Sequence, residues 1–170
     1  MDQDCGFQKG ETWFYYRVAA FIIEEQCLLM AWDPQKAMYV PLGGGVHLHE
    51  SGTDALRRQV YEETGIHYEV KRLAEVHEHF YEGKTASLTG LTCHEMTLYY
   101  LMKSKGKRFW LDPMTSQERH LSLEWLKLEK IHQYPLDPSF PLAWFDRMPR
   151  EVQYQVFDER DSKKSSLLFV

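Results

Sequence analysis

Only three of the 170 residues are cysteine (Cys5, Cys27 and Cys93), an odd number scattered along the chain, which argues against a disulfide framework. Long apolar runs are also missing. The longest, residues 18–23 and 28–32, fall far short of the ~20 residues that span a bilayer. There is no excess of positive charge: 20 Lys and Arg face 25 Asp and Glu, for a net charge of −5. Such a chain has no overall electrostatic pull on nucleic acid or anionic membrane, so neither is expected as a partner. The N-terminus carries Asp2 and Asp4 rather than a basic segment followed by an apolar one, and the expected compartment is the cytoplasm. Repeats, low-complexity tracts and Pro- or Gly-rich linkers are absent as well. What is present is ordinary for a folded domain, with 44% hydrophobic and 14% aromatic residues. At ~100–200 residues per domain, this length predicts one domain over 1–170, with 158–170 as a candidate tail.

Residues 13–24 are aromatic and β-branched without a breaker and read as a strand buried on both faces, with 27–32 as its hairpin partner. Three consecutive glycines at 43–45 permit backbone conformations that other residues disfavour. Residues 53–64 read as a helix, with Thr53 as N-cap and Gly65 just past the end. Strands follow at 70–81, 95–102 and 121–128, then a helical turn over 129–134. Leu142, Phe145, Met148 and Val152 have helical spacing within 141–157, although Pro149 interrupts it. The pattern is that of a mixed α/β domain.

The chemistry concentrates between Gly44 and Ile66. Gln59, Glu62, Glu63 and Ile66 fall at i, i+3, i+4 and i+7 and share one helix stripe, while Leu56 and Val60 occupy another that can pack on a sheet. Adjacent carboxylates near a helix C-terminus repel each other and oppose the helix dipole. A solvated acidic face is the plain reading of such a pair. A hard cation such as Mg²⁺, which takes carboxylate and carbonyl oxygens and keeps positions open for water and phosphate, is the functional one.

The spacing decides between them. Gly44, Glu50, Arg58, Val60, Glu62, Glu63, Gly65 and Ile66 fit in register the pattern G-x5-E-x7-R-E-U-x-E-E-x-G-U, in which U is a bulky aliphatic residue. The remaining specified position, Glu in the pattern, is Gln59 here. The segment therefore resembles the signature of the Nudix hydrolase superfamily (MutT-like). The resemblance implies an α/β/α sandwich around a central mixed sheet. It implies hydrolysis of a pyrophosphate bond in a nucleoside diphosphate linked to another group, with water attacking phosphorus and Mg²⁺ or Mn²⁺ as cofactor. Glu62 and Glu63 would be metal ligands, with the Gly44 carbonyl as another. Arg58 would orient the acidic side chains, and Glu50 would fix the loop against the helix. A divalent cation also explains how an acidic chain could hold a pyrophosphate.

Gln59 carries no charge and accepts no proton at neutral pH. A missing general base typically costs ~10²–10⁴ in rate. Carboxylates outside the motif are then the candidates for that role: Glu118 first, Glu95 second and Glu78 third. The competing reading is a nucleotide-binding or sensing module on the same fold. Arg17, Arg57, Lys84 and Arg119 are candidate anion contacts; Arg17 and Glu95 are the expected substrate-binding pair. Tyr16, Phe80, Tyr81 and Trp125 offer faces on which a base could stack. A nucleoside triphosphate, a sugar nucleotide, a dinucleotide and a non-nucleotide diphosphate all fit these residues. His77-x-His79 on a strand could supply two zinc ligands, but no four-ligand spacing accompanies it, and hydrogen-bonded histidines are the expectation. For residues 165–170 a frayed tail is the default, with a docking strand or a homodimer contact as the alternatives.

Overall fold

The computed structural model describes residues 3–85, 87–111 and 121–160. In chain order the elements are β1 (Gly6–Lys9), β2 (Thr12–Phe21), β3 (Ile23–Glu24), β4 (Cys27–Asp33), β5 (Met38–Val40), β6 (Gly43–Gly45), α1 (Gly52–Thr64), β7 (Val70–Glu82) and β8 (Thr92–Met102). They are followed by β9 (Ser122–Lys127), a 3-10 turn (Leu128–Gln133), α2 (Trp144–Arg147) and β10 (Gln153–Asp158).

Side chains alternate across a strand, and β2 uses both faces. Val18 and Ala20 pack with Leu56 and Val60 of α1, while Ala19 and Phe21 pack with Trp144 and Phe145 of α2. β4 repeats the division, with Leu29 and Ala31 in the first cluster and Leu28 and Met30 in the second. Helical layers thus cover both faces of a central mixed sheet, the α/β/α sandwich that the motif implied. The larger sheet runs β1-β2-β8-β7-β10, with β6 continuing along the β1 side of β2. β2 pairs with β8 and β10 with β7 in parallel; the other pairings are antiparallel.

The strand expected over 13–24 is divided. It stops at Phe21, and β3 joins β4, β5 and β9 in a second sheet. The reason is that both edges of β2 are already taken, by β8 on one side and by β1 and β6 on the other. The hairpin partner can pair only after the chain has crossed between sheets. It does so at Ile23↔Leu28 and Glu24↔Cys27, around Glu25 and Gln26, both at positive φ (47° and 60°). Glu24 is 1% exposed, and its carboxylate accepts bonds from Ser104 Oγ (2.6 Å), Lys105 N (2.6 Å) and Gly106 N (2.9 Å).

α1 begins one residue earlier than expected, at Gly52, and its N-cap is Ser51 rather than Thr53: Ser51 Oγ accepts the Asp54 N–H at 3.2 Å. At the other end Gly65 adopts φ 69° and donates to the Tyr61 carbonyl, as the sequence predicts. The helix expected over 141–157 is reduced to the four residues of α2. Met148 turns to φ 42° ahead of Pro149, whose ring disfavours a helical residue before it. Residues 153–158 form β10 on β7, so Asp158 belongs to the sheet; residues 161–170 of the expected tail lie outside the described residues. Among the described residues, no helix is long and apolar enough to cross a membrane.

Candidate active site

The three glycines of β6 lie flat against β2, in register Ala19↔Gly43, Val18↔Gly44 and Arg17↔Gly45. Gly43 sits at φ +141°, and a Cβ there would collide with the Val18 carbonyl oxygen and lie 2.8 Å from Ala19 Cα. Only glycine fits. A Cβ on Gly44 would meet the Gln59 amide at 2.7–2.8 Å, so the side chain that departs from the motif rests directly on this loop. The ladder bonds Ala20 N to Leu42 O and Val46 N to Tyr16 O, and that alternation turns the Gly43 peptide away from β2. Its N–H donates to Glu63 Oε1 at 3.3 Å.

The loop between β6 and α1 is clamped by Arg58. Its Nε and Nη2 donate to the two oxygens of Glu50 at 2.9 and 2.8 Å, a fork-to-fork pair, and Nη2 also reaches the Gly45 carbonyl at 3.2 Å. The His47 N–H donates to Glu50 at 3.0 Å. The Arg58 bonds lead in holding the Glu50 carboxyl down, against partial burial, at about 2 instead of 4.5. Arg58 Nη1 lies 3.6 Å from Glu62, which stays exposed at the helix surface. Contacts of Glu50 with Arg58, Arg58 with Glu62, Gln59 with Gly44 and Glu63 with Gly43 therefore run along the length of α1.

Beside them opens a cavity of ≈ 430 Å³ whose wall includes Glu63, Arg17 and Glu95. Arg17 Nη1 and Glu95 Oε1 are 3.3 Å apart, and Thr97 Oγ1 donates to the same oxygen. Burial works against the Arg17 charge, but Glu95, Tyr99 and Tyr15 together outweigh it and raise the guanidinium above its ordinary range. Of the carboxylates outside the motif, Glu95 belongs to this wall. Glu78 alternates to the opposite face of β7, where it binds His94 (2.9 Å) and the Tyr154 hydroxyl (2.7 Å). Glu118 and Arg119 lie outside the described residues. Arg57 pairs with Asp54 and Glu69, and Lys84 with Glu159; neither cation lines the cavity. Tyr99 and Phe140 supply its aromatic lining, not the four rings expected from sequence.

Sequence reasoning missed part of the wall. His77 is 2% exposed with Nδ1 at 3.2 Å from the equally buried Glu75, and His79 Nε2 lies 2.8 Å from Glu159. Both histidines line the cavity. Each thus has a carboxylate partner, and among the described residues no three His, Cys, Asp or Glu side chains form a group ready to hold a metal ion. The alternation of His77 and His79 with Glu75 was visible in the sequence, but nothing there said which face the sheet would leave open.

The fold and this loop-helix site together define an α/β/α sandwich, and comparison with known proteins gives it a family. A family model described as NUDIX domain matches residues 14–148, and the chain belongs to that family. Among solved structures, a MutT protein from Bacillus halodurans superposes with a TM-score of 0.61 at 20% identity, over 85% of this chain and 89% of that one. A MutT protein from Methanosarcina mazei Go1 gives 0.63 at 20% identity, over 84% and 100%. An ADP-ribose pyrophosphatase from Streptococcus suis gives 0.52 at 15% identity, over 85% and 98%. These likenesses are of fold. No curated protein matches the sequence.

Proposed function

We propose that this chain is a divalent-metal-dependent hydrolase that cleaves the pyrophosphate bond of a nucleoside diphosphate linked to another moiety. The observation that carries the reading is Glu63 bonded to the Gly43 N–H on the wall of a ≈ 430 Å³ cavity, with Glu62 beside Arg58 on the same helix and the Arg58–Glu50 pair clamping the preceding loop. Two carboxylates, main-chain carbonyls and the Gln59 amide oxygen form an all-oxygen donor set. That suits Mg²⁺ or Mn²⁺, which need only one or two carboxylates when substrate phosphates and water complete the shell. When bound, the cation neutralises phosphate charge and polarises the attacked phosphorus.

Glu62 and Glu63 hold the cation, with a carbonyl from the glycine loop. Arg58 fixes their approach and Glu50 fixes Arg58. Water gives its oxygen to phosphorus, the bridging P–O bond breaks, and the bridging oxygen leaves on the other phosphate. Gln59 cannot take the proton released by water, and Glu95 is engaged by Arg17 and Thr97. The base in this proposal is Glu118. Arg17 and Glu95 contact the substrate, a small nucleotide or other diphosphate, and the setting is cytoplasmic.

Gln59 also supports a second reading, a nucleotide-binding module that no longer turns over. Product release from a panel of nucleoside diphosphate derivatives, with Mg²⁺, with Mn²⁺ and with chelator, separates the two. The hydrolase reading expects metal-dependent release that Glu63→Gln reduces at least ~10²-fold. Ligand-induced stabilisation with no product from any substrate would establish the binding module instead.

A further inference from the structure

Four buried polar side-chain atoms have no hydrogen-bond partner among the described residues: Arg17 Nε, Tyr68 Oη, His77 Nε2 and Trp144 Nε1. Buried polar groups are nearly always paired, so each orphan asks for an explanation. Tyr68 and Trp144 belong to the two hydrophobic clusters and do not line the cavity. Arg17 and His77 both line it.

They also lie in one row. Arg17 of β2 is in register with Thr97 of β8, and Thr97 with His77 of β7. Directly opposed residues project from the same face, and strands lie ~4.8 Å apart, so the Cα atoms of Arg17 and His77 are about 10 Å apart with Thr97 between them. A flat group lying over Thr97 is within reach of both ends.

The chemistry of the two ends is the same. Arg17 Nε–H is a donor in every state. His77 shares its other ring nitrogen with Glu75, and both side chains are nearly sealed from water (2% and 3% exposed). A net negative charge there is costly, and burial raises the Glu75 carboxyl above its ordinary range, with the His77 bond opposing. A dyad kept free of net charge by this burial would carry two protons, one between Glu75 and Nδ1 and the other on Nε2. His77 Nε2–H is then a second donor. Between them, Thr97 has its hydroxyl proton directed to Glu95.

Phosphate is the wrong occupant for this floor. Asp33, Glu63, Glu95 and Asp137 outnumber Arg17 and Lys36 around the cavity, so an anion would meet net repulsion. Tyr99 and Phe140 meanwhile offer apolar ring faces. We propose that the Arg17–Thr97–His77 row determines specificity by seating an uncharged nucleobase through the oxo group at its purine 6- or pyrimidine 4-position, as in guanine and uracil, in preference to adenine and cytosine, which carry an amino group there. The assignment rests on the hydrolase reading only for the position of the diphosphate, which then lies towards Glu62 and Glu63.

The test is calorimetric binding of the four nucleoside 5′-monophosphates, GMP, UMP, AMP and CMP, to the full chain in Mg²⁺. The parent should bind GMP and UMP at least about tenfold tighter than AMP and CMP, since an unmatched buried donor discriminates strongly. His77→Phe, which removes the donor and keeps a ring, and Arg17→Lys, which keeps the charge and removes Nε–H, should each bring the preference below about threefold. His77→Gln, which restores a donor, should recover part of it. Equal binding of all four, a preference for the amino bases, no binding, or a preference surviving Arg17→Lys would each overturn the assignment. The Arg17 variant decides alone if His77→Phe does not fold. Turnover of the matching diphosphate derivatives is read separately: discriminating binding without turnover overturns the hydrolase and spares the base assignment, and turnover without discrimination does the reverse.

Discussion

Glu50→Gln probes the clamp that holds the glycine loop against α1. In the parent, both Glu50 oxygens are engaged by Arg58, at 2.9 and 2.8 Å, and one also takes the His47 N–H at 3.0 Å. The amide removes the charge and turns an NH₂ donor towards either the guanidinium or the His47 N–H. Moving a carboxyl from 4.5 to about 2 corresponds to at most about 3 kcal/mol. Because 18% of the Glu50 side chain remains in water, screening reduces this to about 2 kcal/mol. For a domain of this size that lowers Tm by about 4–8 °C at pH 7. The sign of the pH dependence follows from the direction of the shift. A carboxyl held low when folded stabilises fully above its unfolded value near 4.5, and the benefit fades as pH falls towards about 2. Thermal unfolding of parent and variant at pH 7, 5, 4 and 3 should therefore show a gap that is constant down to about 5 and has lost more than half its size by about 3. A gap of the same size at every pH, or no gap at pH 7, would refute the argument.

Three further outcomes are expected. Phe21→Ala removes a fully buried ring that packs 4.7 Å from Trp144 and 4.8 Å from Phe145; it should cost about 3–5 kcal/mol in urea unfolding, and a loss under ~1 kcal/mol would mean that α2 does not close that face. Glu24→Ala removes the acceptor of three donors in residues 104–106; it should cost about 2–4 kcal/mol and speed amide exchange at Lys105 and Gly106, whereas unchanged exchange there would remove Glu24 as the anchor. Gln59→Glu sets a third carboxylate against Gly44; it should lower metal-free Tm by about 2–4 °C through repulsion, reverse that with Mg²⁺, and raise kcat at least about tenfold, and a variant indifferent to Mg²⁺ would contradict the proposed ligand set.

The helix and its glycine loop were legible because their signals are local. Gly65 at the C-cap, the Leu56 and Val60 stripe and the position of Arg58 eight residues after Glu50 depend on helical period and chain reach alone. The departures have tertiary causes. Nothing within residues 13–24 reveals that β2 will have both edges occupied, which is what sends β3 and β4 into a second sheet. Residues 141–157 carry helical spacing and strand alternation at once; Pro149 and the available edge of β7 decide in favour of a short helix followed by β10. The Arg17–Thr97–His77 row draws on three strands far apart in sequence, so it exists only once the register is set.

The most direct test of the hydrolase claim is to run the reaction in ¹⁸O-labelled water with Mg²⁺ on a nucleoside diphosphate derivative and to weigh the products. Water attack at phosphorus predicts one heavy oxygen in one phosphoryl group per turnover, lost entirely when chelator replaces metal. Product that forms without label in phosphate, or forms equally in chelator, would contradict the account.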